Sequence, residues 1–147
     1  MQFNKDLSQY RPRFVAAGEA TAGGTGDATK VNGVDIDRTN FLCGKLLITF
    51  SAELAEGKTL SFAIEHEDSQ DGSTRGTAVV DQASTIAATG GAGGTTETGV
   101  VEMDMDLSSA MLFRRYNVTP DLSASSVDTC FWTAALVLGG ALQLPAV

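Results

Sequence analysis

The clearest pattern in the chain is the alternation of apolar and polar residues between positions 41 and 82. Residues 45–54 and 59–66 both alternate with a period of two, which is the period of a half-buried β-strand. The apolar positions of the two segments are Leu46, Ile48, Phe50, Ala52, Leu54, Leu60, Phe62 and Ile64. Because only a short stretch containing Glu56 and Gly57 separates the segments, we predict that they pair as a central β-hairpin. A second turn is predicted at Asp71-Gly72.

The same alternation predicts strands in the second half of the chain. Residues 99–107 place Val101, Met103, Met105 and Leu107 on one face and an acidic row of Glu102, Asp104 and Asp106 on the other. Residues 111–119 are predicted to form a strand that is broken at Pro120. Residues 130–138 are apolar on both faces, so that strand is expected to be central in a sheet or covered on both sides. Shorter strands are predicted at 14–17, 34–37 and 76–81.

Length and composition indicate one domain of the all-β class. The chain has 147 residues, 16 of them glycine and only 3 proline, and 43% of its residues are hydrophobic, which is enough for a core. No segment of helical periodicity reaches ten residues. We therefore predict a single β-sandwich, jelly-roll-like, over residues 14–147. A flexible N-terminal arm is expected at residues 1–13, and the glycine-rich segment 89–96 is expected to be a flexible, exposed loop.

The charge of the chain excludes some partners. Its formal net charge is −8 at pH 7 and its few basic residues are scattered, so we expect no binding to nucleic acid, whose phosphates require clustered Lys and Arg. No apolar run approaches the roughly 18 residues that span a bilayer, and the first residues lack the pattern of a signal peptide. We expect a protein that is made in a cytoplasm and does not bind a membrane.

No group of residues forms a recognisable catalytic motif. His66 is the only histidine. It lies among acidic residues, but zinc would require further His or Cys ligands, so a polar strand end is the better interpretation. Asp68 and Asp71 superficially resemble closely spaced calcium ligands. The acidic row of residues 102–106 has a spacing that could serve glycoside hydrolysis, yet a solvated strand face has the same pattern. We predict that the protein is not an enzyme, and we assign no catalytic, metal or cofactor-binding residues and no cofactor.

The two cysteines, Cys43 and Cys130, are far apart in the sequence. In a cytoplasmic chain we expect them to be small buried apolar residues. Both lie in predicted strands that could be neighbours, so a disulfide between them is the alternative.

Candidate partner-binding residues lie in the N-terminal arm and in one basic pair. The arm contains apolar, aromatic and basic residues that no predicted strand explains: Phe3, Leu7, Tyr10, Arg11 and Arg13. Arg114 and Arg115 are the one adjacent basic pair on an acidic protein. They are expected to pair with the acidic row of the same sheet or of a neighbouring copy, and an exposed pair of that kind is worth little.

Residues 26–75 resemble the capsid decoration, or cement, proteins of tailed bacteriophages. The segment that begins at Gly26-Asp27-Ala28-Thr29 is followed by the strand of residues 45–54, and then by Asp68-Ser69-Gln70-Asp71-Gly72-Ser73. The resemblance implies a β-rich domain that forms homotrimers on the capsid surface and bridges subunits of the major capsid protein. It implies no catalytic residues.

Two other functions are compatible with the sequence. One is a β domain of a phage tail or fibre. The other is a carbohydrate-binding module, which would present solvent-facing aromatic residues. The chain has one Trp and two Tyr, and Trp132 lies in a predicted buried strand, which argues against the module. The prediction from sequence is a non-catalytic virion protein that stabilises a capsid.

Overall fold

Two antiparallel β-sheets form the fold in a computed structural model that describes residues 10–124 and 127–142. The strands are β1 (Arg11–Thr21), β2 (Val31–Asn32), β3 (Ile36–Asp37), β4 (Phe41–Leu54), β5 (Thr59–Ser69), β6 (Val79–Thr89), β7 (Thr95–Asp106), β8 (Phe113–Leu122) and β9 (Thr129–Ala141). One sheet has the order β1-β9-β4-β7, and the other has the order β2-β8-β5-β6, with β3 also pairing with β8. The described residues contain no helix, and the predicted all-β class is confirmed.

The connections between strands are those of a jelly roll. If β2 and β3 are taken as two pieces of one edge strand, since both pair with β8, each sheet has four strands. The chain then crosses from one sheet to the other at every connection except β5–β6, which is a hairpin within one sheet. Such crossing connections between two sheets define a jelly-roll sandwich, so the fold predicted from the sequence is confirmed.

The predicted β4–β5 hairpin is wrong, because the two strands belong to different sheets. β4 pairs with β7 and β9, whereas β5 pairs with β6 and β8. The apolar faces of β4 and β5 meet across the core instead, and the ring centroids of Phe50 and Phe62 lie 5.9 Å apart. In the sandwich each of these strands buries its apolar face against the opposite layer, so the two faces are covered without the strands pairing with each other.

The core lies between the two sheets and consists of alternate residues of each long strand. Phe62 is fully buried and meets Trp132 edge-on at a centroid distance of 6.2 Å, so Trp132 is buried as the sequence predicted. The largest fully buried side chains are Tyr116, Phe62, Leu46, Ile48, Leu60, Ile64, Leu107, Leu136, Leu138, Val15, Val118 and Asn117.

Several boundaries differ from those predicted. β1 begins at Arg11, so residues 11–13 of the predicted arm pair with β9, while Phe3 and Leu7 lie outside the described residues. β6 starts at Val79 and runs well beyond the predicted strand. β8 does not end at Pro120 but continues to Leu122. Pro120 has no N–H to donate, but its carbonyl still accepts a hydrogen bond from the N–H of Ala28. The missing donor costs little because only the short strands β2 and β3 pair with β8 on one side.

The glycine-rich segment is a loop between β6 and β7, as predicted, and its glycines have a packing role. Gly90 exchanges backbone hydrogen bonds with the β4–β5 connection, donating to Lys58 and accepting from Gly57. A Cβ at position 90 would collide with the carbonyl oxygen of Ala55. Gly93 and Gly94 have φ values of 78° and 84°, a region that side-chain-bearing residues rarely adopt. The two turns at this end of the sandwich are therefore packed against each other.

The cysteines do not form a disulfide. Cys43 is exposed and Cys130 is buried, and both are free. On the β4–β9 ladder, Cys43 lies opposite Gly139 whereas Ala52 lies opposite Cys130, so the two thiols are nine ladder positions apart and far beyond bonding distance. Burial raises the pKa of the Cys130 thiol to about 11. The expectation of a buried apolar cysteine is thus confirmed for Cys130 and wrong for Cys43.

Candidate docking face

The outer surface of the β1-β9-β4-β7 sheet is the most unusual surface of the described protein. Its residues alternate with the core residues and lie in register across the four strands. Along the strands the cross-strand rows are Phe14–Ala135–Leu47–Glu102, then Ala17–Thr133–Thr49–Val100, then Glu19–Phe131–Ser51–Thr98. Lys45 and Asp104 flank one end of these rows and Glu53 flanks the other. We call this surface the open face.

The open face exposes several apolar side chains around the two threonines at its centre, Thr49 and Thr133. Phe131, Phe14 and Val100 are 60%, 57% and 52% exposed, and Leu47 and Ala135 between them are half-buried. With strands about 4.8 Å apart and residues about 3.4 Å apart, the three rows on four strands cover roughly 400 Å², polar positions included, and patches of that size on monomeric proteins are often functional. A shallow cleft of about 350 Å³ lies beside Phe131, lined also by Thr49, Ser51 and Thr133.

Charged residues are confined to the margins of this face. Lys45 Nζ lies 3.2 Å from Glu102 and 3.3 Å from Asp104, and hydrogen bonds to these two carboxylates raise its pKa. Glu19 lies directly opposite Phe131 on the neighbouring strand. On the β4 side of β9, Ser51 lies opposite Phe131, and Glu53 follows two residues further along β4. The face therefore carries apolar and small polar side chains inside a largely acidic rim.

The outer surface of the other sheet has a different character. Two ion pairs lie on it: Lys30 Nζ lies 3.4 Å from Glu65, and Arg115 Nε lies 3.1 Å from Glu67. Its edge strand β6 exposes Val79, Val80 and Ile86, but the β5–β6 ladder has three register irregularities, and such bulges discourage pairing at an edge. The open face is thus the better candidate for a docking surface.

The structure separates the predicted partner-binding residues. Tyr10 is 54% exposed and lies over Gly139 at the margin of the open face, in a cleft of about 320 Å³ that it shares with Cys43, Lys45 and Val137. Arg11 and Arg13 are at the start of edge strand β1, opposite Leu138 and Leu136. Of the predicted partner-binding residues in the described part of the arm, Tyr10 borders the open face, whereas Phe3 and Leu7 fall outside the described residues.

The basic pair of β8 is engaged inside the protein. Arg114 is 6% exposed and holds Asp68 with two hydrogen bonds, Nε to Oδ1 at 2.6 Å and Nη2 to Oδ2 at 2.8 Å. Arg115 pairs with Glu67. The predicted pairing with the acidic row of the same protein is wrong except for one hydrogen bond from Arg114 to the carbonyl of Asp106. The reason is the β5–β8 register, which places Asp68 and Glu67 directly opposite the two arginines.

Electrostatic effects in this cluster stabilise the ionised carboxylates. Burial raises the pKa of Asp68, but the hydrogen bonds and charge of Arg114 outweigh burial and leave that pKa lowered. Burial also raises the pKa of Glu67, but the hydrogen bond and charge of Arg115 outweigh burial and leave that pKa below its usual value. Burial raises the pKa of Tyr116, beside Arg114, to about 12.

The stability of the protein is expected to fall in acid because of these carboxylates. Their pKa values are lower in the folded state than in the unfolded chain, so the unfolded state binds protons first as the pH falls. The stabilisation is complete above about pH 5 and is lost as the pH falls below about 4, where unfolded carboxylates titrate. Urea midpoints measured between pH 7 and 2 would show this decline. Asp68→Asn should reduce its slope, and an unchanged slope would contradict the assignment.

The acidic residues around His66 have structural partners. His66 Nδ1 lies 2.7 Å from Asp81 Oδ1. Asp71 Oδ1 accepts backbone hydrogen bonds from Ser73 and Thr74 within its own turn, and these bonds hold its pKa far below the usual range. Within residues 10–124 and 127–142, no three His, Cys, Asp or Glu side chains come together as a metal site would require.

Comparison with known proteins supports the fold. No family model and no curated protein sequence matches the chain. Among solved structures, a protein of infectious bursal disease virus, Gx strain, matches with a TM-score of 0.51 and 9% identity over 94% of this chain and 34% of that one. The VP2 protein in T=1 particles derived from the same virus matches with a TM-score of 0.49 and 11% identity, over 91% of this chain and 32% of that one. The chain has the jelly-roll fold of viral capsid domains.

A third match is the endo-1,4-beta-D-xylanase 10B of Clostridium thermocellum, in complex with xylohexaose. Its TM-score is 0.42 and its identity 12%, over 94% of this chain and 27% of that one. The chain spans about a third of the length of the viral proteins that it matches. At these identities the comparisons establish the fold of the chain.

Sequence reasoning missed the open face, although one signal for it was present. The two-sided apolar pattern of residues 130–138 correctly predicted that β9 is central in its sheet. One of its apolar faces, with Phe131, Ala135 and Val137, is not covered by described residues. An apolar outer row on a strand whose sheet has only one covered side indicates an interaction surface.

None of the described residues forms a helix that is long and apolar enough to cross a membrane.

Proposed function

We propose that this chain is a non-catalytic structural protein of a tailed-phage particle, which decorates the capsid surface and stabilises it by bridging subunits of the major capsid protein. The observation that carries the proposal is the open face: a jelly-roll domain of capsid type exposes Phe14, Val100 and Phe131 together on one rigid sheet. A soluble monomer gains nothing from such a patch, whereas an interface buries it. The resemblance of residues 26–75 to decoration proteins supports the same role.

The protein is proposed to act as a homotrimer made in the host cytoplasm. A cyclic trimer uses two different patches of each copy, so the open face can stay available for the shell while other surfaces join the copies. Repeated by symmetry, modest contacts sum to a large stabilisation of the particle. Light scattering of the purified chain should then give about three times 15.3 kDa, and the mass of a single chain would contradict a free homotrimer.

The test of the role is co-sedimentation of the purified chain with empty shells assembled from the major capsid protein. The wild-type chain is expected to pellet with the shells in a fixed ratio, and the Phe14→Ser/Phe131→Ser variant is expected to stay in the supernatant. The matched control is Ile86→Ser on β6, an exposed apolar residue off the open face, which should still pellet. A wild-type chain that remains in the supernatant, while being found in purified tails, would overturn the capsid role.

A further inference from the structure

The arrangement of charge around the open face restricts what can dock there. The inference rests on the proposed function, since it concerns the partner at the same face. The rim carries four carboxylates, from Glu19, Glu53, Glu102 and Asp104, and one basic side chain, Lys45. Lys45 already lies within 3.3 Å of the two carboxylates at its own end. Of the described residues, none makes an ion pair with Glu19 or Glu53 at the other end.

Phe131 is placed between these two carboxylates. Glu19 lies directly opposite Phe131 on the β1–β9 ladder, and directly opposite side chains have Cβ atoms about 5 Å apart. Glu53 is the diagonal neighbour on the β4 side, about 7 Å away. The cleft beside Phe131 is bordered by small polar side chains, Thr49, Ser51 and Thr133. The result is an exposed aromatic ring in a shallow cleft with an unpaired carboxylate on each side.

A second copy of the chain does not fit this face. Two open faces stacked on each other would bring four carboxylates of one copy against four of the other, with both lysines already engaged. Like charges at close range cost free energy, and the same argument excludes nucleic acid and an anionic bilayer. A partner of opposite rim charge is required.

We propose that the open face docks a protein surface that carries apolar residues inside a basic rim, and that an arginine of that surface lies on the ring of Phe131. A guanidinium stacks on an aromatic face and can hydrogen-bond a carboxylate in its plane at the same time. Glu19 and Glu53 are the acceptors on either side. The remaining apolar residues, Phe14, Leu47 and Val100, bury the centre of the partner.

The experiment uses two synthetic peptides of equal length and equal valine content, one alternating Arg and Val and the other alternating Glu and Val. Fluorescence anisotropy of the labelled peptides is measured against the purified full chain at two salt concentrations. The wild-type chain should bind the basic peptide and not the acidic one. Phe131→Ser should weaken binding about tenfold or more, as expected for the loss of an aromatic contact residue.

The charge control separates local recognition from the overall acidity of the protein. Glu19→Gln/Glu53→Gln should weaken binding and flatten its salt dependence. Asp121→Asn/Glu56→Gln removes the same number of charges away from the open face and should change neither. Equal loss in both double variants, equal binding of the acidic peptide, or full binding by Phe131→Ser would each overturn the proposal.

The outcome is distinguishable from failure of the proposed function. A chain that binds the basic peptide through Phe131 but does not bind capsid shells would overturn the capsid role and leave the chemistry of the partner standing. A chain that binds shells through the open face, with no effect of Glu19→Gln/Glu53→Gln, would overturn the basic partner and leave the capsid role standing.

Discussion

Arg114→Met is expected to lower the free energy of unfolding by about 3 kcal/mol or more, the usual cost of removing one member of a buried ion pair. The substitution keeps the aliphatic stem of the side chain but leaves the carboxylate of Asp68, whose side chain is only 22% exposed, without its two hydrogen bonds. The cost comes from the charge that stays buried rather than from the pair itself. Since a domain of this size is stable by only about 5–15 kcal/mol, the variant should unfold at a clearly lower urea concentration.

The control is Lys45→Met, which removes another cation paired with acidic neighbours. Lys45 lies on the open face, and its partners Glu102 and Asp104 have side chains that are 57% and 86% exposed. An ion pair in water is worth about 0–1 kcal/mol, so this variant should unfold close to wild type. Urea titrations followed by circular dichroism would measure both.

A double variant tests the origin of the effect. Arg114→Met/Asp68→Leu removes both charges and should recover much of the stability, because an apolar pair of similar volume is often as stable as a buried ion pair. If Arg114→Met alone lowers the free energy of unfolding by less than about 1 kcal/mol, water solvates the carboxylate of Asp68 and the pair behaves as an exposed ion pair.

The strands could be predicted from the sequence because alternation directly reports which side of a strand is buried. β4, β5, β7 and β9 all follow the predicted apolar positions. Pairing could not be predicted in the same way. The segments that became β4 and β5 satisfy their apolar faces equally as a hairpin or on opposite sheets, and their short connection permits both.

The ion pairs of Arg114 and Arg115 could have been predicted from the charges in the sequence, which the alternation of apolar residues does not take into account. Glu67-Asp68 and Arg114-Arg115 are adjacent pairs of opposite charge, and an antiparallel ladder brings both pairs into register at once. That coincidence could have indicated the pairing of β5 with β8. The open face could not be predicted with the same ease, because it depends on four strands that are distant in the sequence and on the absence of a covering layer among the described residues.

Phe62→Ala is expected to destabilise the protein by about 3–5 kcal/mol, the usual cost of removing a fully buried aromatic ring from a core. Phe62 belongs to β5 of one sheet, and its ring contacts Phe50 and Trp132 of the other sheet. Its removal would leave a cavity between the two layers that the rigid strands cannot close by moving together. Trp132 is the only tryptophan, so its fluorescence reports on the same contact.

Phe131→Ala is the matched control, with the same substitution one residue before Trp132 on β9. Phe131 is 60% exposed on the open face, so its loss should change the free energy of unfolding by no more than about 0.5 kcal/mol. Thermal and urea unfolding of the two variants, followed by tryptophan fluorescence, would measure the contrast. Equal destabilisation by both would show that Phe131 is covered in solution and would remove the open face as a docking surface. A large loss for Phe62→Ala alone would mean that Phe131, unlike its neighbour Trp132, does not support the fold and is free to contact a partner.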